Sequence, residues 1–288
     1  MKFKNILIVY NPFSQGGKSV YLFNEYLTII RKEGSPFTIF ETTGINDIKT
    51  IQKNIASNSF DLISIIGGDG TINITINGLQ DFSIPLHIIP AGTGNDLARM
   101  LYGHLKISDI LKLPFQFTKK VDIDIWSCNQ IRFINGFGAG FDGAIAEKTQ
   151  SKTFLLSSKT KYWIEIIKQI LFYRSQKVEI NGKKTAIFMI AAANGSDYGG
   201  GFKVAPLAKL NDKKLEYVEC KNIPTLLRLY YLPLVQAGKH LTQKAITYKK
   251  IDDLTISSNH PLPAHLDGEA LCEKNYHIKW QNQVQILR

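Results

Sequence analysis

Three short runs in this chain of 288 residues place carboxylates where glycines free the backbone: Gly67-Gly68-Asp69-Gly70-Thr71, Gly92-Thr93-Gly94-Asn95-Asp96 and Asp267-Gly268-Glu269. A glycine-rich turn can aim several N–H groups at one point and so cradle a phosphate. A carboxylate inside such a cradle repels the phosphate unless a cation lies between, so Asp69 reads as reaching a Mg²⁺, directly or through water. The first run therefore predicts nucleotide and metal together, where a turn that merely reverses the chain would need neither. Asp267 and Glu269 stand two apart. If the backbone from His265 to Ala270 is extended, their side chains share a face, and a carboxylate there could take the proton of an attacking hydroxyl. Alone, the same three residues read as a solvent-exposed turn.

The elements that must hold these runs are legible from hydrophobic pattern. Leu62 to Ile66 is an apolar run of strand length that empties into the first glycine turn, and Leu86 to Ile89 does the same before Pro90 and the second. Asn5 to Tyr10 reads as another buried strand, with Asn11 to Gly17 as the loop at its carboxyl end, and Phe37 to Glu41 as a short strand exiting at Thr42-Thr43-Gly44. Helices are expected from about Val20 to Ile30, closed by Gly34, and over Asp47–Ser57, Ile72–Leu79 and Leu97–Leu101, with Asn95 and Asp96 as capping oxygens. Alternating strands and helices make an α/β domain with its site along the strands' carboxyl edge. From Val121 onward short strands dominate, at 121–126, 131–135, 178–180, 186–193, 215–219, 245–251, 254–257 and 276–280, interrupted by helices near 159–173 and 225–238. The expected division is residues 1–120 and 121–288, closely apposed, with a hinge near Thr118 to Val121.

Composition narrows the function classes. With 35 Lys+Arg against 24 Asp+Glu the net charge is +11, which suits a polyanion or an anionic membrane surface. The basic residues are scattered in doublets such as Lys119-Lys120 and Lys183-Lys184, which argues against a nucleic-acid arm. Cys128, Cys220 and Cys272 suggest neither a disulfide framework nor a zinc site, and a reducing cytoplasm fits. No apolar run reaches the ~18 residues that span a bilayer. The stripe Trp163, Ile166, Ile167 and Ile170 reads first as core, although with Lys159, Lys161 and Lys168 nearby it is also a candidate membrane contact.

Together the runs resemble the soluble bacterial diacylglycerol kinases, lipid kinases related more distantly to sphingosine and ceramide kinases. The residues that carry the resemblance are Asn11-Pro12 with Ser14, Gly67 to Thr71, Pro90 to Arg99, Phe133-Ile134-Asn135 leading to Gly140-Phe141-Asp142, Asn194 to Gly201, Ala205-Pro206 with Ala208 to Asp212, and Leu266 to Glu269. The resemblance implies an N-terminal nucleotide-binding α/β domain of NAD-kinase type with a parallel sheet and flanking helices, and a C-terminal β-sandwich domain for the lipid acceptor, with the ATP site in the cleft between them. It implies ATP contacts at Asn11, Pro12, Phe13, Ser14, Gln15, Thr42, Gly67, Gly68, Asp69, Gly70, Thr71, Gly92 and Thr93. It implies a catalytic Mg²⁺ network on Asp69, Asp96 and Asp122, activation of the acceptor by Asp267 and Glu269, and a structural Mg²⁺ held by Lys209, Asp212 and Lys214. The partners it implies are ATP and a lipid at the membrane surface, with no nucleic acid, for a cytoplasmic protein peripheral to the inner face of the membrane; a homodimer is left open.

The chain departs from the pattern in three places. Ile74 stands where the family usually has Glu, Lys213 where a glycine usually follows the structural-site aspartate, and Asp124 lies beside Asp122. The expected activity is phosphorylation of diacylglycerol to phosphatidic acid. The alternatives are the same chemistry on a sphingoid base or phosphatidylglycerol, a non-catalytic nucleotide-binding regulator associated with lipids, or an NAD kinase, which would leave Asn194 to Asp212 unexplained.

Overall fold

The computed structural model describes residues 3–116, 119–150, 158–197 and 199–288, and places two compact units, Met1–Ile125 with Gln281–Arg288, and Trp126–Trp280. Thr118 of the expected hinge, Tyr198 of the glycine block and the side chains of Lys159 and Lys161 lie outside the described residues. The chain passes between units twice, since the last strand begins in the second unit and its final residues belong to the first.

In the first unit the elements run β1 (Ile6–Tyr10), α1 (Lys18–Glu33), β2 (Phe37–Glu41), α2 (Ile48–Ser57), β3 (Leu62–Gly67), α3 (Asp69–Gly78), β4 (Leu86–Pro90), α4 (Asp96–Tyr102) and α5 (Ile107–Ile110), before β5 (Lys120–Cys128). The strands pair in parallel in the order β2-β1-β3-β4. β1 and β3 are buried along their whole length because helices must cover both faces of a parallel sheet, which is why they are apolar throughout except at Ser64. Gly34 closes α1 in the left-handed conformation, its N–H reaching back to Ile30 and Arg31. The buried face of α1 is Leu22, Tyr26, Leu27 and Ile30, so Val20 falls outside it, and Phe23 stacks on Tyr10 at its margin.

The second unit continues with β6 (Ile131–Phe133), β7 (Gly136–Gly140), α6 (Phe141–Gln150), α7 (Ser158–Phe172), β8 (Gln176–Ile180), β9 (Lys183–Ala193), β10 (Leu215–Lys221), α8 (Thr225–Ala237), β11 (Ile246–Ile251), β12 (Asp253–Leu266) and β13 (Glu269–Leu287). β9 pairs with β8 along its first part and with β7 and β10 along its second. β12 likewise pairs first with β8 and then, past an irregularity between Ser257 and Leu262, with β7. Strands shared in this way fold one ladder into the two layers of a β-sandwich. Two hairpins are set by two-residue turns with both residues at positive φ, Asn181-Gly182 and Asp267-Gly268, the sequence preference of a type I′ turn. One apolar core contains Trp126, Phe133, Phe137, Tyr217 and Tyr276; a second lies under α6, α7 and α8 around Phe141, Ile166, Phe188, Phe202 and Tyr231.

At the centre of the first unit Tyr26, Ser64 and His87 form a buried polar network. The tyrosine hydroxyl and Ser64 Oγ are 2.6 Å apart, and both lie 3.3 Å from His87 Nδ1. His87 Nε2 donates to the Ile110 carbonyl at 2.8 Å. Burial pushes this imidazole from 6.5 down to about 4, so the folded unit holds it neutral. The unfolded chain binds a proton near 6.5 that the folded chain refuses until about 4, so this contribution is complete above 6.5 and falls away as pH drops, by roughly 3 kcal/mol in all. The melting temperature of the wild type should therefore fall more steeply between pH 7 and 4.5 than that of His87→Gln, whose amide can keep the Ile110 bond; equal slopes would show that the ring is not held neutral.

Candidate active site

Three loops meet at the carboxyl ends of β1, β3 and β4. Gly68 and Gly92 touch backbone to backbone: a Cβ added at Gly92 would lie 2.3 Å from the Gly68 Cα, and one added at Gly68 would lie 2.9 Å from the Gly92 Cα and 3.9 Å from Ser14 Oγ. No side chain fits between them, which is the physical requirement behind both glycines. α3 begins three residues earlier than the pattern suggested, so Asp69, Gly70 and Thr71 form its first turn and Gly68 stands extended before it. That placement swings the Asp69 carboxylate onto the N-terminus of α4, where it accepts the Asp96 N–H at 3.1 Å. Asn95 and Asp96 were expected to cap α4 themselves. Instead Asn95 sits at positive φ and closes its own loop, accepting from the Gly92 N–H at 2.8 Å and donating to the Gly92 carbonyl at 2.6 Å, while Asp96 pairs with Arg99. The cap comes from the neighbouring loop.

Asp69 and Asp96 thus stand side by side next to Gly94, where an added Cβ would be 2.8 Å from Asp69 Oδ2 and 3.9 Å from Asp96 Oδ1. Mg²⁺ is typically held through one or two carboxylates, with substrate phosphates and water completing its shell, so this pair fits such an ion. Asp122 is not brought to them: it is exposed, and Gln285 Nε2 donates to its Oδ1 at 3.3 Å. Asp124 is fully buried, and Ile74 is buried in α3. No cluster of three metal-ligating side chains occurs among the described residues.

The remaining loop residues divide. Asn11 accepts the Phe13 N–H at 3.0 Å, Pro12 and Ser14 offer carbonyls to Ser19 Oγ, Gln15 is left-handed, and Phe13 is exposed. Thr93 is exposed. Thr42 is buried, and its hydroxyl donates to Asp47 Oδ2 at 2.9 Å, which spends it within its own turn.

In the second unit the stretch 265–270 is not extended. Asp267 (φ 51) and Gly268 (φ 90) are the hairpin turn between β12 and β13, so Asp267 and Glu269 do not share a strand face. The Asp267 carboxylate accepts three backbone N–H groups, from Ile134 at 2.9 Å and from Asn135 and Gly136 at 2.8 Å each. Asn135 in turn donates from Nδ2 to the Asp197 carbonyl, and buried Asn194 joins the Ile134 carbonyl to Trp126 Nε1. Glu269 is exposed.

Sequence reasoning assigned no task to Asp142, His265 and Arg228. His265 Nδ1 accepts the Gly268 N–H at 3.3 Å, which leaves the proton on Nε2, 3.1 Å from Asp142 Oδ2. Gly138 makes room, since a Cβ there would fall within 2.4 Å of both polar atoms. Asp142 also lines a cavity of about 80 Å³ in this unit, whose walls are otherwise mainly apolar, among them Phe141, Ile166, Phe188, Phe202 and Tyr231. Burial pushes the Cys220 thiol on its wall up to about 12, so that sulfur is no nucleophile.

The proposed structural metal position does not fit a divalent ion. Asp212 Oδ2 holds the Lys250 ammonium at 2.6 Å and Oδ1 accepts the Lys214 N–H at 3.2 Å, while the Lys214 ammonium goes to Asp252. The ladder sets Lys250 opposite Glu216, a buried carboxylate 3.4 Å from its Nζ, so one lysine serves two acids. Lys213 takes the left-handed conformation (φ 56) that a glycine would adopt freely.

Comparison with known proteins agrees with this architecture. Residues 5–124 match the family model of the diacylglycerol kinase catalytic domain, and residues 136–285 match that of the YegS C-terminal NAD kinase beta sandwich-like domain. A diacylglycerol kinase of Bacillus subtilis (strain 168) is 30% identical over 280 residues, covering 92% of this chain and 90% of its own. One of Staphylococcus carnosus (strain TM300) is 27% identical, covering 92% and 89%. A crystal structure of a candidate diacylglycerol kinase from Bacillus anthracis str. Sterne has the same fold, with a TM-score of 0.76 at 24% identity over 99% of this chain and 97% of that one. These matches define the class, a kinase of lipids with an α/β domain followed by a β-sandwich. The chain belongs to the diacylglycerol kinase family.

Two measurements test the site. Asp267→Asn replaces an acceptor of three N–H groups by an amide with one acceptor oxygen, and should lower stability by about 2–4 kcal/mol, whereas exposed Glu269→Gln should leave the melting temperature unchanged; a stable Asp267→Asn variant would remove the anchoring role. Because Lys250 already neutralises Asp212, excess chelator without nucleotide should not shift the wild-type melting temperature, and a fall of several degrees would show that an ion displaces the lysine.

Proposed function

We propose that this chain is an ATP- and Mg²⁺-dependent kinase that phosphorylates diacylglycerol to phosphatidic acid at the cytoplasmic face of a membrane. The observation that carries the reading is the pairing of Asp69 and Asp96 at the carboxyl ends of parallel strands, beside two glycine loops in backbone contact. Phosphoryl transfer asks a protein chiefly to position groups and neutralise charge. In this reading the loops at Asn11 to Gln15, Gly67 to Thr71 and Gly92-Thr93 receive the nucleotide through backbone donors, and Asp69 and Asp96 hold the metal. Mg²⁺, when bound there, offsets the charge that develops on the transferred group. Glu269, whose carboxylate is exposed, accepts the proton of the acceptor hydroxyl as that oxygen bonds to the γ-phosphorus and the bond to the β-phosphate oxygen breaks. Asp267 acts on it by fixing the turn. The mainly apolar lining of the second unit's cavity supports a lipid acceptor.

The test is transfer of labelled γ-phosphate to a panel of diacylglycerol, a sphingoid base, phosphatidylglycerol and NAD. Label should enter phosphatidic acid and require Mg²⁺; label in none of the four, or in NAD alone, would end the proposal. Asp69→Asn keeps an acceptor for the Asp96 N–H while removing the charge, so it should fold normally and lose about 10³-fold or more of the rate. Near-normal turnover at a matched melting temperature would sink the metal assignment.

A further inference from the structure

Glu269 leaves the Asp267-Gly268 turn as the first residue of β13, paired across the hairpin with Leu266. In a two-residue turn the ladder bonds join the flanking residues, so the N–H of the second turn residue needs water or a partner of its own. Here a side chain takes it. His265 is only 4% exposed, and its Nδ1 accepts the Gly268 N–H at 3.3 Å. An imidazole that accepts at Nδ1 carries its proton on Nε2, and the Asp142 carboxylate, 3.1 Å from that nitrogen, favours the proton there.

Three features make this a built seat. Strand register sets His265 directly opposite Gly138 of β7, and a Cβ at Gly138 would lie 2.3 Å from Nε2 and 2.4 Å from Asp142 Oδ2, so the sheet gives up a side chain at the position where the ring lies. Gly143 gives up another. A Cβ there would lie 2.3 Å from backbone atoms of Pro263 and Ala264, so α6 rests on β12 backbone to backbone and brings Asp142, in its first turn, against the ring. Asp142 also carries a carboxylate into a cavity wall that is otherwise mainly apolar, which is costly unless a donor faces it, and the His265 Nε2–H is the donor set there.

We infer that His265, with its tautomer set by Asp142, is a positioning residue for phosphoryl transfer: by holding the Gly268 N–H it fixes the direction in which Glu269 leaves the turn. Asp267 and His265 divide this task. The Asp267 carboxylate ties the first turn residue to the N–H groups of 134–136, and the imidazole ties the second, through Asp142, to α6. A base that must meet an acceptor hydroxyl within hydrogen-bond reach tolerates little rotation of the peptide behind it, and a displacement of about 1 Å can cost on the order of a hundredfold in rate. His265 acts through Glu269 and not on the acceptor. The inference rests on Glu269 as the base in the function proposed above.

The experiment separates the two ring nitrogens by substitution. Asn places its Oδ1 where Nδ1 lies and can accept the Gly268 N–H; Gln places its amide nitrogen where Nε2 lies, reaches Asp142 and leaves that N–H without an acceptor. His265→Gln should lose on the order of a hundredfold in kcat for diacylglycerol with nucleotide affinity and melting temperature unchanged, and His265→Asn should stay at least about tenfold above it. A packing role alone predicts the reverse order, because Gln is nearer to His in volume and keeps the Asp142 partner. A wild-type rate in His265→Gln, or equal rates in the two variants, would overturn the assignment. Because a buried substitution can unfold the unit, the wild type is also read directly. The nitrogen-15 NMR shifts of its imidazole should show Nδ1 bare and Nε2 protonated, and the Gly268 amide should exchange slowly with solvent; a protonated Nδ1 or a rapidly exchanging amide would equally overturn it. If the wild type phosphorylates no lipid while ring and amide behave as stated, the failure falls on the function proposed above, and His265 still fixes the turn.

Discussion

The first unit depends on one contact, the approach of the Gly68 and Gly92 backbones to a distance that excludes any Cβ. Two strand-to-helix turns on adjacent parallel strands would otherwise stand apart by the width of a side chain. With both side chains absent, the loop after β3 reaches the helix after β4, and the Asp69 carboxylate meets the Asp96 N–H. A carboxylate at a helix N-terminus satisfies an orphan donor and opposes the helix dipole. The same bond aligns two acids that repel each other. Arg99, reaching both Asp96 and the Gly94 carbonyl, relieves that repulsion and leaves the pair with a single net negative charge.

The second unit turns on a carboxylate used in the opposite way. Asp267 gives its oxygens to three backbone N–H groups of 134–136, and its own N–H returns to the Gly136 carbonyl. This knot joins the start of β7 to the tip of the β12–β13 hairpin, and Asn135 and Asn194 extend it to the loop after β9. Residues that look like a chemical motif in sequence are in part its scaffold. Acid-base chemistry and backbone anchoring draw on the same residue types, and the three backbone N–H groups on Asp267 mark it as an anchor.

The sequence disclosed most where burial imposes a repeating pattern. The strands near 6–10, 62–67 and 86–90 are mainly apolar because both faces are covered, with Ser64 and His87 bonded to each other inside, and Gly34 closes the first helix where its position suggests. It disclosed less where glycine replaces pattern. β7, GFGAG, is a fully buried strand with no hydrophobic alternation, because Gly138 leaves room for His265 and Asp142, and Gly140 approaches the Phe188 carbonyl. The strand and the α6 helix after it carried no readable signal. β12 and β13 were seen only as fragments, because polar residues interrupt them where one face is exposed, although the Asp267-Gly268 pair is itself a hairpin signal. Long-range partnerships were out of reach: that Asp122 goes to Gln285, or that Lys250 faces Asp212 and Glu216, is decided by strand register and not by neighbours in the chain.

The Lys250 arrangement shows how a departure in one residue propagates. A glycine after Asp212 would let the turn take positive φ freely; Lys213 takes it at a cost of about 1–2 kcal/mol. The turn persists because its ends are tied, Lys214 N–H to Asp212 on one side and the Lys214 ammonium to Asp252 on the other. Glu216 is nearly fully buried, and an acid there demands a cation within reach. Lys250 lies directly across the ladder, its ammonium raised in pKa first by its bond to Asp212, with attraction to Glu216 adding to it. A lysine can be that cation because its stem spans the distance between the two acids, and it needs no ion from solution. The fold-holding cation is then encoded in the chain, so the stability of this turn becomes independent of the metal that the first unit would bind for catalysis.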